Sequence, residues 1–186
     1  MARTLKVRRD LVATTLNNMG LVYREKGRFH EALETLKKAL VIDREINSRW
    51  AIAYDLRNMA LTTLRMGEPE KAVSLFQEAL ATAAGIGNRI NEAKILLGFG
   101  QAFTALGRYG EARAAFGKSL DLSRSMALRE TEWRALYGLG RLLLKDGRKR
   151  EARDILTQAT RVIEGMRAEI KLDRLKDGFI NNKMSF

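Results

Sequence analysis

The sequence predicts an all-α chain built from repeated pairs of helices, and three observations predict it. Four glycines, Gly27, Gly67, Gly107 and Gly147, stand 40 residues apart, each flanked at fixed offsets by the same small or apolar residues. Between them apolar residues recur at the three- and four-residue spacing of an amphipathic helix. The 186 residues include a single proline, Pro69, whereas loop-rich and β-rich folds use many such turn residues and long helices exclude them.

Repetition sets the register of every element. Leu16, Leu56, Leu96 and Leu136 open each unit, followed four residues on by Gly20, Ala60, Gly100 and Gly140. The spacer glycine comes next, then Ala32, Ala72, Ala112 and Ala152, and finally Ala39, Ala79, Ser119 and Ala159, with no insertion anywhere in the series. In the first unit Leu16, Met19, Gly20 and Tyr23 make one helical face. Gly27 closes that helix, at a position that asks for positive φ. Phe29, Ala32, Leu36, Ala39 and Leu40 make the face of the second helix. Small residues at the crossing points let two antiparallel helices approach closely enough for Tyr23, Leu36 and their equivalents to interlock. The units span about 13–46, 53–86, 93–126 and 133–166, giving an array over 1–165 and a helical extension over 166–186. The fourth unit carries Lys149 and Thr160 where the others are mostly apolar, as suits a terminal unit that covers the end of a stack.

Composition narrows the function classes. A hydrophobic fraction of 46% supports a packed core. The absence of cysteine removes disulfides, thiolate metal sites and cysteine nucleophiles. The only histidine, His30, cannot by itself build a zinc site or a Cys–His pair. Glu31 and Glu34 read as solvated charges on an outer helical face. The runs Gly98-Phe99-Gly100 and Gly138-Leu139-Gly140 imitate a dinucleotide fingerprint. They lack the preceding strand and the third glycine, replaced by Phe103 and Leu143, so they read as packing glycines. The reading is therefore a non-enzyme with no catalytic, metal or cofactor-binding residues. The basic start of the chain lacks the apolar core of a secretory signal, and no stretch is apolar enough to span a membrane. Together with the lack of cysteine this gives a cytoplasmic expectation. The formal charge of +12, from 34 Lys and Arg against 22 Asp and Glu, points to an acidic partner.

The pattern of small residues, with Leu36, Phe76, Phe116 and Leu156 as the large apolar residue of each second helix, resembles the tetratricopeptide repeat. The match departs from the usual form in having 40 residues instead of 34 and no closing proline. In this it is similar to the arrays of kinesin light chains, Pins-type regulators and bacterial signalling proteins. The resemblance implies a right-handed α-solenoid of four helix-turn-helix units plus a C-terminal helix, with first helices on the concave face. It also implies a function, that of a scaffold binding a partner protein or peptide in the groove. Carried over position by position, the groove residues expected to bind peptide are Asn17, Arg24, Tyr54, Arg57, Asn58, Arg65, Lys94, Gln101, Arg134, Tyr137, Arg141 and Lys145. Seven of the twenty groove positions are basic and one is acidic. That mixture of cations, tyrosines and leucines suits a segment with carboxylates and apolar residues, because a guanidinium donates two parallel hydrogen bonds to a carboxylate. Asn17 and Asn58 are expected to hold the backbone of an extended ligand, since an amide both donates and accepts. Trp50 and Trp133 are expected to cover joints between units.

Beyond the fourth unit, Val162, Ile163, Met166, Ile170, Leu172, Leu175 and Phe179 keep an apolar face. Leu175, Phe179 and Lys183 resemble the junction that follows repeat arrays in bacterial proteins with a CHAT peptidase domain. This leads to the expectation that the chain is a fragment, its repeats being the sensory or regulatory arm of a larger protein. The same face is expected either to fold back on the last unit or to pair with a second copy as a homodimer. Nucleic-acid binding through the basic residues is the remaining alternative. It is disfavoured by the lack of interleaved exposed aromatics that would stack bases.

Overall fold

The structure, a computed structural model, describes residues 2–183, with side chains from 7 to 171. It is a single file of helices: α1 (Ala2–Glu25), α2 (Phe29–Glu45), α3 (Arg49–Arg65), α4 (Pro69–Ala84), α5 (Arg89–Ala105), α6 (Tyr109–Ser125), α7 (Arg129–Lys145) and α8 (Lys149–Lys183). Each helix packs antiparallel on the next, and the pairs α1/α2, α3/α4, α5/α6 and α7/α8 are the tightest. Helices of 17 residues, such as α2 and α3, alternate with three-residue turns, which closes the 40-residue period. The C-terminal helix of the sequence reading is a continuation of α8, which runs unbroken across residue 165. Leu175, Phe179 and Lys183, which carry the junction resemblance, lie outside the residues whose side chains are described.

The turns share one hydrogen-bond pattern. After α1, the Gly27 N–H donates to the Arg24 carbonyl at 3.0 Å and the Arg28 N–H to the Tyr23 carbonyl at 2.9 Å. This six-to-one closure needs a residue with positive φ, and Gly27 supplies it at 75°. The same pair of bonds ends every helix from α1 to α7. The positive-φ residues are Gly27, Asn47, Gly67, Gly87, Gly107, Ala127 and Gly147. The true turn period is therefore half the sequence repeat. The intermediate turns escape a glycine search because asparagine and alanine stand in two of them. Ala127, at φ 53°, takes a conformation that costs an L-residue with a Cβ about 1–2 kcal/mol.

Two apolar clusters fill the stack. One joins α2 to α6 around Leu36, Leu56, Phe76, Ile95 and Phe99. The other joins α5 to α8 around Phe116, Leu120, Leu136 and Leu142. Small residues on the odd helices make room for the large ones on the even helices. A Cβ at Gly100 would sit 2.4 Å from the Phe116 ring, and one at Gly138 would sit 2.6 Å from the same ring. Phe116 is thus seated between the first helix of its own unit and that of the next. The motif-like glycine pairs are packing positions, as the sequence indicates.

This asymmetry gives the stack an inner side. Among the described residues α1 approaches α3, α3 approaches α5 and α5 approaches α7, whereas no even helix approaches another even helix. The odd helices are closer together and form one continuous wall.

Candidate functional site

The inner wall carries two recesses, one toward each end. The C-terminal recess, about 180 Å³, lies between α5 and α7 and is lined by Gln101, Thr104, Phe116, Arg134, Tyr137, Gly138 and Arg141. Gly138 has no side chain, so the edge of the buried Phe116 ring forms the floor. Thr104 turns its hydroxyl back to the Gly100 carbonyl at 2.6 Å and so presents its methyl group. Arg134 and Arg141 stand two turns apart on the solvent side of α7, with Tyr137 on the turn between them. The Arg141 guanidinium lies 5.9 Å from the centre of the Tyr137 ring. Arg134 pairs with Glu130 at 3.0 Å, while Arg141 has no carboxylate partner among the described residues. Tyr137 is 49% exposed. Four expected groove residues, Gln101, Arg134, Tyr137 and Arg141, are therefore brought together.

The N-terminal recess, also about 180 Å³, lies between α1 and α3, with Asp43 of α2 at its base. Its lining includes Thr14, Asn17, Asn18, Trp50, Tyr54 and Asp55 and no cation. The expectation of a uniformly basic groove is corrected here, because this end of the wall is acidic and polar. Trp50 lies at the edge of this recess between the first two units. It is 60% exposed and stacks on Tyr54 of the same helix, ring centres 5.6 Å apart and planes 8° from parallel. Trp133 is half-buried against the second apolar cluster, as expected.

Between the recesses the wall is closed by a buried polar seam. The Asn17 amide donates to Asp55, and its carbonyl accepts from the Asn58 amide at 3.0 Å. The Arg57 guanidinium donates to Asn91 at 2.7 Å and lies 4.4 Å over the Tyr54 ring. Asn17, Asn58 and Arg57 are only 5%, 2% and 7% exposed. The expectation that these three face an open groove is corrected, since they are buried and their side-chain hydrogen bonds run to one another, to Asp55 and to Asn91. The physical reason is the close approach of successive odd helices, which covers the fifth position of the first three units. Leu97, at that position in the third unit, is buried too. Tyr137, the equivalent in the fourth, is open because no described helix lies beyond α7 on this wall. Burial pushes the Arg57 guanidinium below its ordinary range, partly offset by Tyr54.

The other expected residues are dispersed. Arg24 is mostly covered and contacts Glu25 at 3.3 Å. Arg65 is exposed near the end of α3. Lys94 lines a separate hollow between α5, α7 and α8 with Glu130, Met166 and Glu169. Lys145 leans over the Tyr109 ring, 4.1 Å from its centre.

Sequence reasoning missed Asp43, Asp55 and Asn91. A signal existed for the two acids. Asp55 is in register with Ile95 and Ala135, and Asp43 with Ala83 and Ser123, all of them buried. A carboxylate at a position that its own repeat fills with apolar or small residues marks a departure from pure packing.

Among the described residues no group of His, Cys, Asp and Glu could hold a metal ion, and no helix is long and apolar enough to cross a membrane. No curated protein sequence matches this chain. Solved structures do match it in fold. BtubC from P. vanneervenii aligns with a TM-score of 0.74 and 18% identity, over 86% of this chain and 66% of that one. Aspartyl phosphate phosphatase F from Bacillus subtilis aligns at 0.80 and 16%, over 90% of this chain and 44% of that one. A Rap protein complexed with competence and sporulation factor aligns at 0.78 and 17%, over 87% and 45%. The chain thus spans less than half the length of the latter two. Tetratricopeptide repeat profiles match residues 11–84, 51–125 and 97–162. Such repeats are in general non-catalytic scaffolds for protein interaction, with helix pairs stacked so that one wall is free to meet a partner. With these matches running from α1 into α8 over an unbroken stack of helix pairs, the chain belongs to the tetratricopeptide repeat family.

Proposed function

We infer that this chain is a protein-interaction scaffold whose inner wall receives an acidic, partly apolar segment of a partner peptide or protein at the recess between α5 and α7. The observation that carries the reading is Arg141, an exposed guanidinium without a carboxylate partner among the described residues, beside Arg134 at the rim of a recess floored by Phe116. A carboxylate between the two arginines would accept forked hydrogen bonds, and an adjacent apolar side chain would cover the Phe116 ring. Arg65, Lys94 and Lys145 lack carboxylate partners among the described residues and add to the positive field that steers an anion to the wall. A Rap protein of this fold has been solved complexed with competence and sporulation factor, a precedent for partner binding by the architecture.

Calorimetry with a peptide alternating glutamate and leucine tests the reading. The unsubstituted chain should bind it, and the double variant Arg134→Glu, Arg141→Glu should lose at least about tenfold in affinity, since charge-assisted bonds contribute about 1.5–3 kcal/mol each. Equal affinity in the double variant, or equal binding of a lysine–leucine peptide, would remove this site. Arg57 is unsuitable for such a test because its loss would leave the Asn91 side-chain carbonyl unpaired inside the wall.

A further inference from the structure

The recess between α1 and α3 contains a buried acidic pair that the repeat does not need for packing. Asp55 and Asp43 are 1% and 3% exposed. Their carboxyl groups lie within hydrogen-bonding reach of each other, and Asp10 of α1 adds a third negative group beside Asp43. Asp55 Oδ1 is held by the Asn17 amide. Asp55 Oδ2 and Asp43 Oδ1 find no donor among the described side chains, and none of the three acids has an ion-pair partner there. Among the described residues no basic side chain lines this recess, the Arg57 guanidinium lying instead over the Tyr54 ring at its edge. Buried carboxylates without a cation or hydrogen-bond donors are costly. Here the Asn17 amide meets part of that cost, and a proton held between the two acids meets more of it. At the mouth lies the Trp50–Tyr54 stack, with most of the Trp50 ring open to solvent. Aromatic faces attract cations, so the mouth and the base of the recess favour the same sign of charge. The volume of about 180 Å³ admits the end of one long side chain and no more.

We propose that this recess receives a lysine or arginine side chain of a partner protein, its charged head against Asp55 and Asp43 and its stem along Trp50 and Tyr54. The proposal rests on the scaffold reading above, but on a different recess. On binding, the shared proton leaves the carboxyl pair for solvent and the incoming cation replaces it, so charge in the recess balances. Burial, opposed by the Asn17 amide and helped by Asp43, pushes Asp55 up to about 8, so at pH 7 the proton is present to be released. Together with the arginine-lined recess at the other end of the wall, this selects a partner whose positive and negative groups are separated along its length.

The test is calorimetry of the full chain at pH 7 with Nα-acetyl-arginine amide, Nα-acetyl-lysine amide and Nα-acetyl-norleucine amide, in two buffers of different ionisation enthalpy. At least one cationic probe should bind at least tenfold more tightly than the norleucine probe, with a buffer-dependent heat that reports proton release. Trp50→Ala, a change at an exposed ring, should weaken that binding at least tenfold. So should Asp55→Asn, whose amide can still donate to Asp43 and keep the fold. The Arg134→Glu, Arg141→Glu variant should keep it, which separates this site from the acidic-segment site. Equal binding of the norleucine probe, a heat independent of buffer, or undiminished binding in Trp50→Ala would overturn the proposal.

Discussion

Asp55 shows how one side chain sets a property that the repeat pattern does not reveal. Removal from water disfavours its charged form and is the largest cause of its upward shift. The folded chain therefore holds this proton up to about pH 8, whereas an unfolded aspartate releases it near ~3.9. Between those limits the folded state binds more protons than the unfolded state, so stability falls as pH rises and levels off above about pH 8. Asp43 shifts the same way, through burial and the charge of Asp10, with its contact to Asp55 opposing. Glu31, Glu111 and Glu151 are lowered by exposed arginines and act in the opposite sense only at lower pH. Urea midpoints measured from pH 5 to 8.5 should therefore decline steadily, and Asp55→Asn should flatten the decline. A midpoint that climbs across this window would mean that Asp55 is ionised in the fold.

At the scale of the element, the helices are matched in size across each joint. A Cβ at Gly98 of α5 would lie 2.3 Å from the Phe76 ring of α4, and Phe76 is fully buried. In the next unit Phe116 meets Gly138. In the first, where the large residue is the smaller Leu36, the position in register with these glycines holds Asn58. The substitution Gly98→Ala should gain about 1 kcal/mol in helix propensity and lose more through overpacking, for a net loss of about 1–2 kcal/mol in chemical denaturation. Adding Phe76→Leu should recover part of that loss in a double-mutant cycle, whereas Phe76→Leu alone should destabilise. Additive losses would show that ring and glycine are not coupled. The helices, their order and the four glycine turns were legible in the sequence because they depend on local periodicity and positive φ. Turns through Asn47 and Ala127 were not, because those residues enter the left-handed region only when the packing of both flanking helices holds them there.

Over the whole molecule, contacts run between neighbours along the file, so stability is shared out unit by unit. The first apolar cluster spans α2 to α6, while among the described residues of α8 only Ala152 and Ala159 are buried apolar side chains. Hydrogen exchange should be slowest in α3 to α5 and fastest in α8 beyond Thr160, with opening that spreads inward from the C-terminal end. Uniform protection along the file would instead indicate a single cooperative block. The same arrangement places the functional surfaces. Because among the described residues only odd helices reach past their chain neighbours to one another, a single wall collects side chains from every unit, and its middle is sealed by Arg57, Asn58 and Asn91.

The amino-acid order by itself determined the helix pairs, their 40-residue register, the small residues at the crossings and the family, since each follows from spacing along one chain. It also located Gln101, Arg134, Tyr137 and Arg141 on one face, because a helical face is periodic. Which wall positions stay open was decided only by tertiary structure. Exposure of Asn17, Arg57 and Tyr137, which share one repeat position, depends on whether the following odd helix covers them. The pairing of Asp43 with Asp55 brings together α2 and α3 across a turn whose angle no local pattern encodes. Burial is a property of neighbours in space, and it turned an expected basic groove into a wall with unlike ends.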